Sequence, residues 1–170
     1  MRLRPVYKAF VLVAAIATAI AGCNTAGCLE NRNSVPLAGF YASGSGDKIQ
    51  VLNIQINGLS NDTVAILEPT QRVSQVYLPM RSTKPSTSWV ISYKDEALDG
   101  PEFNDTISFH YDSKPYFASE ECGVIYKYHI RQVDATSHLI DSVVLADSVI
   151  TNVDIEQIRI YFRVKAEEGE

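Results

Sequence analysis

The chain has 170 residues, 20 of them acidic and 15 basic, for a net charge of −5. That length holds one domain with a real core and is short for two. The acidic balance argues against nucleic acid as a partner and against electrostatic docking on anionic lipid.

The N-terminus reads as a targeting segment. Arg2, Arg4 and Lys8 make a positive start, and residues 10–21 form the apolar run FVLVAAIATAIA. A membrane span needs about 20 apolar residues, so this shorter, Ala-rich run suits a secretory signal. Ile20-Ala21-Gly22-Cys23 resembles a bacterial lipobox. The resemblance implies diacylglyceryl transfer to Cys23, cleavage before it and acylation of the new N-terminus. Two or more acyl chains anchor stably where one does not. An ordinary cleaved signal with a chance cysteine is the alternative. Removing residues 1–22 with their three cations takes the net charge from −5 to −8.

The three cysteines are Cys23, Cys28 and Cys122. With Cys23 acylated, an even pair remains in an oxidising compartment, which predicts a Cys28–Cys122 disulfide. Closing so long a loop contributes on the order of 4–5 kcal/mol in the chain-entropy model. Two free thiols in a redox or metal role are the alternative, but the sequence has no CxxC and no His/Cys cluster to support them.

Residues 23–47 read as a lipidated N-terminus and loop rich in Gly, Ser and Asn, with Phe40-Tyr41 as a short apolar contact. A domain over 48–165 and a polar tail over 166–170 follow. Strands are predicted over 49–56, 63–67, 73–78, 88–93, 106–111, 116–119, 124–133, 139–145 and 155–164. Gly58 to Asp62, Glu68-Pro69-Thr70, the acidic stretch 94–104 and Asp112-Ser113-Lys114-Pro115 separate them as turns. Period-2 alternation with frequent turn signals is the pattern of an all-β protein, here an antiparallel β-sandwich of about eight or nine strands.

The segments Lys114-Pro115-Tyr116-Phe117-Ala118-Ser119-Glu120-Glu121-Cys122-Gly123 and Ile140-Asp141-Ser142-Val143, with the terminal Ile158-Arg159-Ile160-Tyr161-Phe162, resemble an uncharacterised family of Bacteroidota lipoproteins. The resemblance implies a cell-envelope, outer-membrane location and supplies no activity.

Among residues that could carry chemistry, His110 and His129 alternate out of phase with their apolar neighbours and should point outward. A metal between them would need further ligands at proper spacing, and a solvated polar pair is the commoner arrangement. Ser137, His138 and Asp141 crowd one extended segment, whereas catalytic triads assemble from distant ones. Glu120 and Glu121 point to opposite faces if extended, which argues against a paired acid and base. No catalytic residue, metal or cofactor is expected.

Tyr111, Tyr116, Phe117, Tyr126 and Tyr128 could form a platform for stacking sugars or peptides. The phase that Tyr126 and Tyr128 share with Val124 and Ile130 favours core instead. Thr63, Thr106, Ser142 and Ser148 each follow Asp and precede an apolar residue, which is similar to the O-glycosylation acceptor of Bacteroidota. The simpler account is an Asp ending a turn before a strand begins. The expected protein is an envelope lipoprotein held in the membrane by Cys23, non-enzymatic, with an accessory, scaffold or binding role towards an envelope protein. The neutral Asn24-Thr25-Ala26-Gly27 leans towards the periplasmic face. A surface carbohydrate- or peptide-binding lipoprotein is the second reading, and a hydrolase or metalloenzyme the third.

Overall fold

A computed structural model describes residues 34–59, 65–69, 72–120 and 122–164. Cys23, Cys28, Thr63 and Glu121 lie outside the described residues, as does the tail after Val164. The strands are β1 (Leu37–Ala42), β2 (Ile54–Gly58), β3 (Ala65–Leu67), β4 (Gln75–Tyr77), β5 (Ser86–Tyr93), β6 (Asp105–Ser119), β7 (Gly123–Ala135), β8 (Ile140–Leu145), β9 (Val149–Ile150) and β10 (Glu156–Phe162). One 3₁₀ turn, Pro101–Phe103, interrupts the acidic stretch before β6.

The strands form a four-stranded sheet in the order β4-β1-β10-β8 and a six-stranded sheet in the order β3-β2-β5-β6-β7-β9. Their inner faces share one core, in which Phe40, Ile158 and Ile160 of the small sheet meet Ile56, Ile91 and Phe109 of the large one. The all-β sandwich read from the alternation is the observed fold.

Several details differ from that reading. Ten strands are described, where eight or nine were expected. The first of them lies inside the stretch read as loop. β1 sends Ala38, Phe40 and Ala42 into the core and sits in the middle of the small sheet. Gly39, which reads as a loop signal, is instead a site of close approach. A side-chain carbon there would overlap the carboxyl group of Glu156. The pairing of β1 with β10 is parallel, running from Leu37 opposite Glu156 to Ala42 opposite Phe162. The sandwich is therefore not wholly antiparallel.

Residues 49–53 carry only a bridge from Val51 to Val73. Asn53, at a φ of 55°, turns the chain into β2 and leaves Leu52 exposed. The turn expected at Asp112–Pro115 is also absent, because β6 runs straight through it. β5 pairs with β6 only as far as His110. The N–H of Tyr111 points to the β5 side, where it meets the carbonyl of Pro85. Four residues on, the nitrogen of Pro115 faces the same side, beyond the end of β5, so the missing N–H breaks no ladder bond.

Asp105 fixes the crossing between sheets. Its carboxylate is fully buried. One oxygen accepts from the Thr136 hydroxyl and the His138 amide, each at 2.9 Å. The other accepts from the Leu139 and Ile140 amides at 2.9 Å and from the Tyr93 hydroxyl at 3.1 Å. The segment from Thr136 to Ile140 carries the chain from β7 in the large sheet to β8 in the small one, and Asp105 holds it there. Burial and the neighbouring carboxylate push the Tyr93 hydroxyl well above its ordinary pKa.

On the outer face of the small sheet, Glu156 gathers a second cluster. It accepts from the Tyr41 hydroxyl at 2.5 Å and from Lys48 at 2.9 Å, with Arg159 at 3.4 Å. Burial alone would raise its pKa. The bonds from Tyr41 and Lys48, and the charges of Lys48 and Arg159, outweigh that and hold it below the usual value of 4.5. A depressed folded-state pKa contributes stability above the unfolded value that is lost as pH falls through the folded one. Glu156→Gln should therefore melt lower than the wild type at neutral pH, and the gap should close as pH drops below about 4.5. Thermal melts across pH read this directly, and a gap that stays constant in acid would remove Glu156 from the acid response.

Candidate functional site

The longest ladder among the described residues is the β6–β7 hairpin. After a bulge at His110/Tyr111, its register is regular, with Tyr111 opposite Ile130, Ser113 opposite Tyr128, Pro115 opposite Tyr126 and Phe117 opposite Val124. These residues share one face. At its base the face is core: Tyr111, Tyr128 and Ile130 are buried, and the two tyrosine rings meet edge to face with centroids 5.2 Å apart. Towards the tip the same face is uncovered, with Phe117 64% and Val124 66% exposed and Tyr126 also at the surface. The alternation read from sequence had the correct phase. The buried face simply runs past the end of the opposing sheet.

A trough of about 460 Å³ lies along this transition, lined by Val35, Pro79, Met80, Ile125, Tyr126 and Tyr128, among others. Its lining mixes polar and apolar surface in nearly equal parts, and Met80 is a side chain that repacks readily. Burial and the neighbouring tyrosines raise the Tyr128 hydroxyl to about 12. Tyr116 points differently. Its hydroxyl donates to Asn152 at 2.6 Å, and Lys127 sits 4.2 Å from the ring centre. Of the residues weighed as a possible stacking platform, the ring of Tyr111 is therefore committed to the core, Tyr116 is engaged on one face, and Phe117 is open.

A second cavity, of about 610 Å³, lies where the loop after β4 crosses the free edge of β6. The loop is pinned there. The Tyr111 hydroxyl receives the Arg81 amide at 2.9 Å and lies 2.6 Å from the Thr87 hydroxyl. The Ser113 hydroxyl donates to the Ser82 carbonyl at 2.6 Å. Lys84, Lys114 and Arg131 all line this cavity. Asp112 pairs with Arg131, whose hydrogen bond and charge hold the carboxyl below its ordinary range.

His110 and His129 do face outward, but apart from each other. His110 is opposite Gln132 and lies 3.1 Å from Asp134, whereas His129 is opposite Asp112. Among the described residues no group of three His, Cys, Asp or Glu side chains is placed to hold a metal ion. Asp141 reaches Arg163 at 3.3 Å. The carboxylate beside His138 is Asp105, 3.4 Å from the ring nitrogen, and sequence spacing gave no sign of it. That nitrogen is 2.7 Å from the Asn104 carbonyl, so its N–H is donated there. With five donors on Asp105, this pair is built to hold a chain crossing.

Of the sites resembling O-glycosylation acceptors, Ser142 is exposed on β8, while Thr106 and Ser148 are half-buried. The aspartates before them have structural partners. Asp105 holds the crossing, and Asp147 accepts from the Val149 amide at 2.8 Å at the entry to β9. Glu120 is exposed at the hairpin turn, and the Cys122 amide donates to the Ser119 hydroxyl at 3.0 Å.

A family model described as a family of unknown function (DUF6452) matches residues 53–162. No curated protein and no solved structure matches the chain.

Proposed function

For a chain that belongs to the DUF6452 family of unknown function, we propose the role of a lipid-anchored cell-envelope protein of a Bacteroidota lipoprotein family. Its sandwich is a non-enzymatic binding or scaffold domain. Cys23 carries the lipid, in the outer membrane and facing the periplasm, and Cys28 is bonded to Cys122. The partner is another envelope protein, docked on the uncovered face of the hairpin.

The observation that carries this reading is the exposed Phe117–Val124 pair, continuous with Tyr126 and the trough beside it. Apolar surface left open on a folded domain marks an interaction site. Its position supports the same reading. Val35 lines the trough and lies twelve residues after Cys23. At about 3.5 Å per extended residue, the trough lies within about 40 Å of the lipid. With Cys28 bonded to Cys122, five extended residues and the span of the disulfide would bring the hairpin turn within about 23 Å of it.

Two measurements test the proposal. Cys23→Ala should lose fatty-acid labelling and leave the membrane fraction. If the variant is labelled and fractionates like the wild type, the anchor is not Cys23. A photo-crosslinking residue at Phe117 in intact cells should give one discrete adduct that the same group at exposed Glu102 does not. Identical patterns at both positions would remove the hairpin as the docking face.

A further inference from the structure

We propose that the cavity between the loop after β4 and the free edge of β6 is a binding site for a phosphate-bearing ligand. The chain is acidic overall, with a net charge of −5. In this one cavity, three cations from separate segments face a single carboxylate. Lys84 comes from the loop, Lys114 from β6, Arg131 from the β7 bulge, and the opposing carboxylate is Asp112. Arg131 is paired with Asp112, whereas Lys84 and Lys114 form no ion pair among the described residues. Three cations beside one carboxylate leave the cavity with an excess of positive charge, which an anion would offset.

The chemistry around them suits phosphate. Ser82 and Thr83 add hydroxyl donors to the lysine ammonium groups. A phosphate monoester presents three strong acceptor oxygens, which such a mixture of donors can satisfy. The site is also preformed. The bonds of Tyr111 to Arg81 and Thr87, and of Ser113 to Ser82, fix the loop against β6 before any ligand arrives. A preformed site spares the ordering cost of binding. The volume of about 610 Å³ is within the range of small-molecule sites. Its polar, solvent-open character fits a charged group better than an apolar body. The phosphate can come from a soluble phosphorylated compound or from a lipid headgroup. The inference does not depend on the anchor or on the docking face, since its cations, Lys84, Lys114 and Arg131, line neither the trough nor the hairpin tip.

The test uses the full-length protein in non-ionic detergent, with inorganic phosphate as the probe and backbone amide shifts as the readout. Saturable shifts are expected at residues 82–84, 113–114 and 131. Raising salt from about 0.05 to about 0.5 M should weaken binding about tenfold or more, because exposed charge pairs are screened over that range. The double variant Lys84→Ala/Lys114→Ala, whose side chains are exposed and support no core contact, should abolish the shifts while leaving the rest of the spectrum in place. A second arm uses vesicles of phosphatidylcholine with and without phosphatidylglycerol. Lysine-dependent recruitment to the anionic vesicles assigns the site to a headgroup, and phosphate binding without it assigns the site to a soluble ligand. No saturable shift together with no recruitment overturns the proposal, as does a response that persists in the double variant.

Discussion

Replacing Asp105 with alanine is expected to destabilise the domain by about 3–5 kcal/mol, as removal of one side of a buried charged network does. The physical reason is the number of donors left behind. The three amides of His138, Leu139 and Ile140 and the hydroxyls of Thr136 and Tyr93 all point at this carboxylate. Each buried donor left unsatisfied costs about 1–3 kcal/mol, and the segment can recover part of that only by opening to water. Such a loss is a large share of the ~5–15 kcal/mol that holds a typical domain. Asp105→Asn is a sharper probe, since it keeps the shape but turns an NH₂ towards donors. It should also be destabilised, though less than alanine. Denaturant melts of the two variants check the order. A near-neutral Asp105→Ala would mean that the β7-to-β8 crossing is held by something else.

Phe40→Ala should cost about 3–5 kcal/mol, the range for deleting a fully buried aromatic ring. Phe40 is completely buried and meets Phe162 edge to face, with centroids 5.3 Å apart. The expected loss follows from the position of β1 between β4 and β10, with core on its inner face. Tyr41→Ala, one residue on, removes an outer-face ring and should cost much less. Urea melts of the pair separate a core strand from a surface loop. Equal and small losses would return residues 37–42 to the status of a loop.

These two residues also mark where the sequence was and was not readable. The alternation of β6, β7 and β10 is open to inspection, because each strand carries its own apolar face. The same rule failed at β1, where Gly39 and the small residues around it imitate a loop. The glycine is there for the Glu156 side chain, which arrives from the other end of the chain. Pro115 misled in a similar way. It reads as a turn until β5 is seen to end before it, leaving its nitrogen on an open edge. In the sequence Asp105 reads only as the end of a turn and the first residue of an O-glycosylation-like motif. Most of its partners are backbone amides, and a backbone amide leaves no mark in the sequence. The hairpin face was phased correctly from Val124, Tyr126 and Tyr128. Its exposure at the tip depends on where the opposing sheet stops, which no local pattern records. Lys84, Lys114 and Arg131 are unremarkable singly and meet only through the fold. The resemblance to a lipobox, by contrast, is wholly local: it is carried by the cations, apolar run and small residues of positions 2–23, which lie outside the described residues.

The parallel pairing of the first described strand with the last has a consequence in time. Leu37 lies opposite Glu156, and the sheet that holds both has no centre until each is present. Closure over so many residues is slow, because the entropy of joining distant ends is lost before any contact rewards it. A chain emerging N-terminus first can form the β5–β6–β7 ladders early, but its opening strand must wait for its closing one. For a chain exported as proposed, the small sheet would close only after the segment carrying β10 has crossed. The lock then shuts only on a finished molecule.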